Sequence, residues 1–114
     1  NTSCAYNADA PGNLASVFCV GSIDNNSWFS FIADSTDVEL IFLVSGCVNG
    51  DGIQAAIYET SDCNTFTLVS SCWNPYVQTN GVVSASGLTV GQQYYLLVDG
   101  FDGDDCDFVF GGFF

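Results

Sequence analysis

The chain contains no lysine, arginine or histidine, and all 13 of its charged residues are Asp or Glu. Without cations it cannot neutralise nucleic-acid phosphates, and an anionic membrane surface would repel it. The same absence removes a Ser-His-Asp triad, a Cys-His dyad and a Schiff-base lysine. We therefore expect no nucleic-acid binding, no membrane insertion and no catalysis, although the composition still allows a carboxylate pair such as Glu39 with Glu59 as acid and base.

Long apolar runs are also absent. No run approaches the roughly 18 residues of a membrane-spanning helix, and no basic segment followed by an apolar one opens the chain, which predicts a mature secreted product. Hydrophobic residues nevertheless make up 48% of the 114 positions, which is too apolar for a disordered protein. We expect one domain spanning residues 1–114, large enough to bury about two thirds of the surface that its unfolded chain exposes.

Six cysteines stand in this short chain. Because there is no Cys-x-x-Cys pair and no histidine to complete a zinc site, they predict three disulfides and a secreted, extracellular or cell-surface location. Sequence alone leaves many pairings open. Proximity along the chain and to the predicted strands favours the pairs Cys4 with Cys19, Cys63 with Cys72 and, by remainder, Cys47 with Cys106.

Strand-like segments, rich in β-branched and aromatic residues, recur between clusters of Gly, Asn, Asp and Ser, and no segment has a helical period. The pattern predicts an all-β fold, an antiparallel two-sheet β-sandwich of the jelly-roll or immunoglobulin-like type. The eight predicted strands cover residues 14–20, 28–33, 38–44, 53–59, 66–70, 82–86, 93–99 and 107–110.

The alternation of side chains predicts which strands are buried. Val38, Leu40 and Phe42 fall on one face of their strand, with Glu39 on the other, so that strand should be half-buried. Residues 28–31 and 94–98 are apolar on both faces, which is typical of central strands or of a covered outer face.

Four stretches together resemble the β-sandwich modules related to bacterial pre-peptidase C-terminal domains. They are residues 26–31 (NSWFSF), 47–54 (CVNGDGIQ), 87–101 (GLTVGQQYYLLVDGF) and 103–108 (GDDCDF). The resemblance implies an antiparallel sandwich attached to adhesins, gliding-associated proteins or secreted hydrolases of Bacteroidetes, exported through a type IX pathway. It also implies a module that is not itself catalytic.

A Cys47–Cys106 bond would bring the turn at residues 49–52 towards the acidic segment 102–107. Such a carboxylate cluster suits a hard cation with oxygen ligands, which makes calcium the candidate cofactor, although the spacing is not that of an EF-hand. The alternative is a solvated acidic loop. The candidate ligands are Asn49, Asp51, Asp102, Asp104, Asp105 and Asp107.

Two kinds of sequence feature concern sugars: aromatic residues that could bind a carbohydrate, and short motifs at which the chain could be glycosylated. Trp73 and Tyr76 flank Pro75 in a predicted loop and could stack on a carbohydrate, with a loop folded over one end of the core as the alternative. Candidate glycosylation sites are Asn1 and Asn25 in sequons and Ser35 in an Asp-Ser-Thr motif that resembles one used for O-glycosylation in Bacteroidetes.

The chain ends on an uncharged aromatic segment, residues 108–114. It is either continued by a longer protein or it pairs with an exposed edge of the next copy, through Phe110, Phe113 and Phe114, which would generate a filament. We expect a non-catalytic extracellular module for adhesion or structural assembly, with a filament subunit and a carbohydrate-binding accessory domain as alternatives. Its partners would be surface proteins, glycans or copies of itself.

Overall fold

Seven β-strands run through the residues that the computed structural model describes, which are 26–61, 65–100 and 104–113. None of these residues is helical, so no helix in this part of the chain could cross a membrane. The strands are β1 (Asn26–Ile32), β2 (Val38–Ser45), β3 (Ile53–Glu59), β4 (Thr67–Leu68), β5 (Gly81–Ala85), β6 (Gln93–Gly100) and β7 (Asp107–Phe113).

The strands form two antiparallel sheets that face each other as a sandwich. One sheet has the order β1-β6-β3-β4, and the other has the order β5-β2-β7. Every pairing is antiparallel. The all-β, two-sheet prediction is therefore confirmed. The predicted strand at residues 14–20 lies outside the described residues.

The core lies between the two sheets. β2 alternates strictly between buried and exposed positions, and its buried side chains Leu40 and Phe42 are fully enclosed. Across the sandwich they meet Ile57 of β3 and Leu96 of β6, which are also fully buried. Each such side chain contributes roughly 1.5–3 kcal/mol relative to an exposed one. The alternation predicted for this strand is confirmed.

The outer face of β3 and β6, the two central strands of the four-stranded sheet, is buried as well. Tyr58 and Leu97 point away from the core between the sheets, yet both are fully enclosed, and Phe66 packs edge-on against Tyr58. Two polar residues on this face, Gln54 and Asp99, are buried and joined by a hydrogen bond from Gln54 Nε2 to Asp99 Oδ2 of 3.0 Å. The prediction of a covered outer face for residues 94–98 is confirmed.

The chain bridges the two sheets directly after β4, before Trp73 pairs again with Ala55 of β3. The Ser70 backbone bridges to Ala85 of β5, while its hydroxyl accepts a hydrogen bond from the Ile57 amide of β3 (2.8 Å). Ser70 thus pairs with one sheet through its backbone and with the other through its side chain. For this reason β4 keeps only two residues, and the prediction of a strand through Ser70 was wrong in its extent.

The aromatic end of the chain belongs to this domain. β7 extends to Phe113, beyond the predicted end at Phe110, and pairs with β2 over its whole length. The Phe110 ring packs against Phe42 at 5.3 Å and against Phe29 at 4.8 Å. One side of β7 is therefore occupied by β2, and the pairing of Phe110 and Phe113 with a neighbouring copy stays a prediction that concerns the other side of the strand. Phe114 lies outside the described residues.

A disulfide joins two loops at one end of the sandwich. Cys47 and Cys106 are bonded, with α-carbons 4.0 Å apart, so this predicted pair is confirmed. Cys72 is also disulfide-bonded, and no cysteine in the described part is free. Cys4, Cys19 and Cys63 lie outside the described residues, so the other two predicted pairs remain predictions.

Candidate functional site

The acidic end of the sandwich is built from three loops. The Cys47–Cys106 bond joins the loop after β2 to the loop before β7, and the Val48 amide donates to the Asp105 carbonyl at 3.0 Å. The loop before β5 joins them, because Gln78 donates its amide to the Gly50 carbonyl (3.0 Å) and its side-chain oxygen accepts from the Cys47 amide (2.9 Å). The predicted approach of the turn at residues 49–52 to the segment before β7 is confirmed.

Asp104 lies at the centre of these loops and is fully buried. Its Oδ1 accepts hydrogen bonds from the amides of Asn49 (2.8 Å) and Asp105 (2.9 Å). Its Oδ2 accepts from the amides of Asp51 (2.8 Å) and Gly52 (3.0 Å). One carboxylate therefore satisfies four backbone donors of two turns that are about fifty residues apart in sequence.

These amides set the charge state of Asp104. Burial alone raises the pKa of its carboxyl, but the hydrogen bonds from the Asn49, Gly52, Asp105 and Asp51 amides together outweigh burial and lower the pKa below its ordinary value of 3.8. The carboxylate is therefore ionised at neutral pH, and the positive ends of four N–H dipoles take the place of a cation.

The predicted calcium ligands have different surroundings. Asp51 is half-buried, whereas Asn49, Asp105 and Asp107 are exposed, and Asp102 lies outside the described residues. A cation at Asp104 would have to compete with the four amides that point at its oxygens. Within the described residues, the one group with metal-ligand spacing is Cys47, Cys106 and Asp104, and both of its sulfurs are engaged in the disulfide. The calcium site stays a prediction. The hydrogen bonds of Asp104 give this residue a structural role that requires no ion.

The two candidate stacking residues have different positions. Trp73 packs into the core, with its ring 5.4 Å from that of Phe42. A side-chain carbon on Gly81 would lie 2.4 Å from the indole, so a glycine is needed there. Trp73 is half-buried against the core, which favours the alternative of a loop folded over the core, and its role as a sugar platform stays a prediction. Tyr76 is 56% exposed and has a positive φ of 64°, which is uncommon for a residue with a side chain.

Of the glycosylation candidates, Ser35 is exposed, and its hydroxyl accepts a hydrogen bond from the Asp37 amide at 3.3 Å. It borders a cleft of about 780 Å³ whose lining residues include five serines and the carboxyl residues Asp37 and Glu39. Asn1 and Asn25 lie outside the described residues.

The outer face of the three-stranded sheet carries a second, apolar feature. Four of its aliphatic side chains are between 44% and 63% exposed; we call them the apolar face, and they are Val82, Ile41, Leu43 and Val109. The strand register places Ile41 between Val82 and Gly111, and Leu43 beside Val109. The four residues are therefore contiguous across three strands.

The borders of the apolar face are polar. On β2 the same side of the strand carries Glu39 before Ile41 and Ser45 after Leu43, and Ser45 pairs with Asp107. Glu39 and Asp107 are both exposed. Beside Gly111, which has no side chain, lies a shallow groove of about 350 Å³ lined by Leu43, Val109 and their neighbours.

The sequence interpretation missed this face. It assigned the buried side of β2 correctly but took Glu39 as representative of a polar outer side. Ile41 and Leu43 alternate with the core residues and lie on that outer side. Two aliphatic residues at positions expected to be polar could therefore have indicated an exposed apolar face from the sequence.

Comparison with known proteins gave no match to a protein-family model, to a curated protein or to a solved structure. The resemblance to pre-peptidase C-terminal modules therefore stays a prediction.

Proposed function

We propose that this protein is a non-catalytic extracellular module that serves adhesion or structural assembly at the cell surface by binding another macromolecule. The observation that carries the proposal is the apolar face, on which four contiguous aliphatic side chains are about half exposed. Contiguous exposed apolar residues with a polar border are typical of interaction surfaces. The Cys47–Cys106 bond supports an oxidising location.

The apolar face is not needed to complete the core. The buried side of the same strands already packs against the four-stranded sheet, so polar residues could replace Ile41 and Leu43 without opening a cavity. A sheet with one solvated face ordinarily alternates apolar and polar residues. The aliphatic residues on the solvated side therefore support a binding role.

A filament subunit is the second candidate, and the observation that favours it is the position of β7 at the edge of its sheet. Strand addition to such an edge can generate an assembly. The net charge of −13 on every copy opposes it. Carbohydrate binding has less support, because Trp73 is half-buried against the core and Tyr76 is the more exposed aromatic residue of the pair.

We also propose that the fold is a jelly roll rather than an immunoglobulin-like sandwich. Consecutive strands lie in opposite sheets at every connection except that between β3 and β4. Jelly rolls have this kind of alternating connectivity in two packed sheets. The finer class adds no function of its own.

The binding proposal is tested with beads that carry the protein, exposed to an array of secreted proteins and polysaccharides. The Leu43→Thr/Val109→Thr double variant should lose at least about nine tenths of any specific binding, because threonine makes the apolar face more polar and, being β-branched, still suits a strand. The control is Val90→Thr, a residue that is 59% exposed in a turn away from this face.

Two results would contradict the proposal: equal binding by the double variant and the control, or no binding to any array element together with no self-assembly. Long regular fibres of the purified protein in electron microscopy would instead support the filament candidate.

A further inference from the structure

Within residues 26–61, 65–100 and 104–113, nothing gives the edge strand β7 the usual protection. Its seven residues pair with β2 in an unbroken register from Asp107 to Phe113, and no described strand pairs with its other side. Natural edge strands are commonly protected by lysine, proline, a bulge or a short length. β7 has no lysine, no proline and no break in register, and it is longer than an average strand. Its outer backbone groups therefore form a template for another strand.

The other edge of the same sheet is handled differently. β5 is bridged through Ala85 to Ser70, and the Ser71 amide donates to the Ser84 carbonyl at 3.3 Å. This crossing segment covers part of the β5 edge. As far as the described residues are concerned, an added strand would therefore meet less obstruction at β7 than at β5.

The side chains beside this edge favour an apolar strand. On the outer face an added strand would lie next to Val109, which is 63% exposed, and beside the groove over Gly111. On the inner side it would meet the half-buried rings of Phe108 and Phe110. Alternate side chains of the added strand would thus contact apolar groups on both sides.

Charge distinguishes the possible sources of that strand. The exposed carboxyl residues Glu39 and Asp107 stand at the two ends of the apolar face, on strands that pair with each other. A second copy has no lysine, arginine or histidine to pair with them, and each copy carries a net charge of −13. Complementary charge therefore has to come from a different chain.

We propose that the outer edge of β7 binds an extended segment of a different polypeptide, with alternating aliphatic residues and with lysine or arginine towards both ends. The segment adds a fourth strand through main-chain hydrogen bonds, fills the groove over Gly111 with an aliphatic side chain and places its cations near Glu39 and Asp107. This inference rests on the proposed binding function and specifies the partner chemistry and the docking mode.

The test uses a synthetic peptide of about nine residues, in which valine alternates with threonine and both ends carry lysine. The matched control peptide carries glutamate at both ends. We expect the lysine peptide to bind at least about tenfold more tightly at low ionic strength, with the difference shrinking as salt is added. In the complex, hydrogen exchange of the β7 backbone amides should slow, whereas that of the β5 amides should be unchanged.

A glycine pair in β7 supplies matched variants. A side-chain carbon on Gly111 meets nothing within 4 Å, whereas one on Gly112 would lie 1.9 Å from the Glu39 carbonyl oxygen. Gly111→Val should therefore fold normally, fill the groove and weaken binding of the lysine peptide about tenfold. Val90→Thr should leave that affinity unchanged.

Several results would overturn the inference. Slow exchange of the β7 amides in the dilute free protein would show that the chain itself covers this edge. Protection that rises with protein concentration, together with a larger mass by sedimentation, would assign the edge to a second copy. Equal affinity for the two peptides would refute the role of charge.

The failures of the two proposals are distinguishable. If the bead array reveals a polypeptide whose binding needs Leu43 and Val109 but neither peptide binds, strand addition is wrong and the binding function stands. If neither the array nor the peptides bind, both proposals are wrong.

Discussion

Asp104 and Val109 are five positions apart in the sequence, yet their environments are the reverse of what their chemistry leads one to expect. The carboxylate is fully buried, and the valine is 63% exposed. The side chain of Asp104 lies inside the loops of the acidic end, whereas that of Val109 lies on the outer face of β7, the strand that follows. The difference shows that the polarity of a side chain does not by itself determine its burial in this protein. The hydrogen-bond and packing partners around the side chain also decide it.

Each half of the comparison has its own physical account. Burying a charge is costly unless hydrogen bonds compensate it. Four backbone amides do so for Asp104. Exposing one valine costs little and is ordinary, but a contiguous set of exposed aliphatic residues is not. The buried carboxylate therefore has a structural explanation. The apolar face has none, which supports a role for it in binding.

The largest expected effect separates apolar residues that hold the fold from those that do not. Leu97 and Leu43 both point outward from their sheets, but Leu97 is fully buried and Leu43 is 53% exposed. Leu97→Ala should lower the free energy of unfolding by about 3 kcal/mol, because it leaves a cavity. Leu43→Ala should lower it by less than about 1 kcal/mol. Denaturant unfolding of both variants measures the difference, and similar losses would mean that the apolar face is structural.

The next effect tests the carboxylate half of the comparison. Asp104→Asn should destabilise the protein by about 2 kcal/mol, because the amide side chain presents N–H donors to backbone donors and loses the charge. Asp105→Asn is the matched control, since that neighbouring residue is exposed, and it should change stability by less than about 0.5 kcal/mol. Equal melting temperatures for the two variants would contradict the structural role of Asp104.

The smallest expected effect is a pH dependence. The pKa of Asp104 is lowered in the folded protein, so its contribution to stability is fully present above the ordinary value of 3.8 and is lost as pH falls through the lower, folded-state pKa. The stability difference between the wild type and Asp104→Asn should therefore be constant near neutral pH and shrink in acid. A difference that is unchanged down to the lowest pH at which both proteins fold would contradict this assignment.

The alternation of side chains made much of the fold predictable. The pattern of β2 and the two-sided apolar character of β6 identify a half-buried strand and a fully buried one. The short β4 was not predictable, because the Ser70 backbone bridges to β5, a strand that comes later in the chain, while its side chain stays bonded to β3. The role of Asp104 likewise depends on turns about fifty residues away, and its acidic neighbours suggested a metal site instead.

The aromatic end shows a different limit. Residues 108–113 are uncharged, which suggested an intermolecular role, but their alternation over β7 also fits a strand of this domain. The pairing with β2 shows that these residues form a strand of this domain, which their composition alone could not show. Ile41 and Leu43 could have indicated the apolar face from the sequence alone. The positions of Glu39 and Asp107 at its borders could not be predicted, because they depend on the register between β2 and β7.

The Cys47–Cys106 bond also determines how the molecule responds to mechanical load. It lies just beyond the last pair of β2 and β7, Ser45 with Asp107, and encloses a separation of 59 residues. When the Phe113 end of β7 is pulled away from the Val38 end of β2, the pairs between the two strands break one after another, because these two ends lie side by side. The force then reaches Cys106 and passes through the covalent bond to Cys47. The residues between the two cysteines, which include β3 and β6, are bypassed by the load, so the disulfide limits how far the module can be stretched.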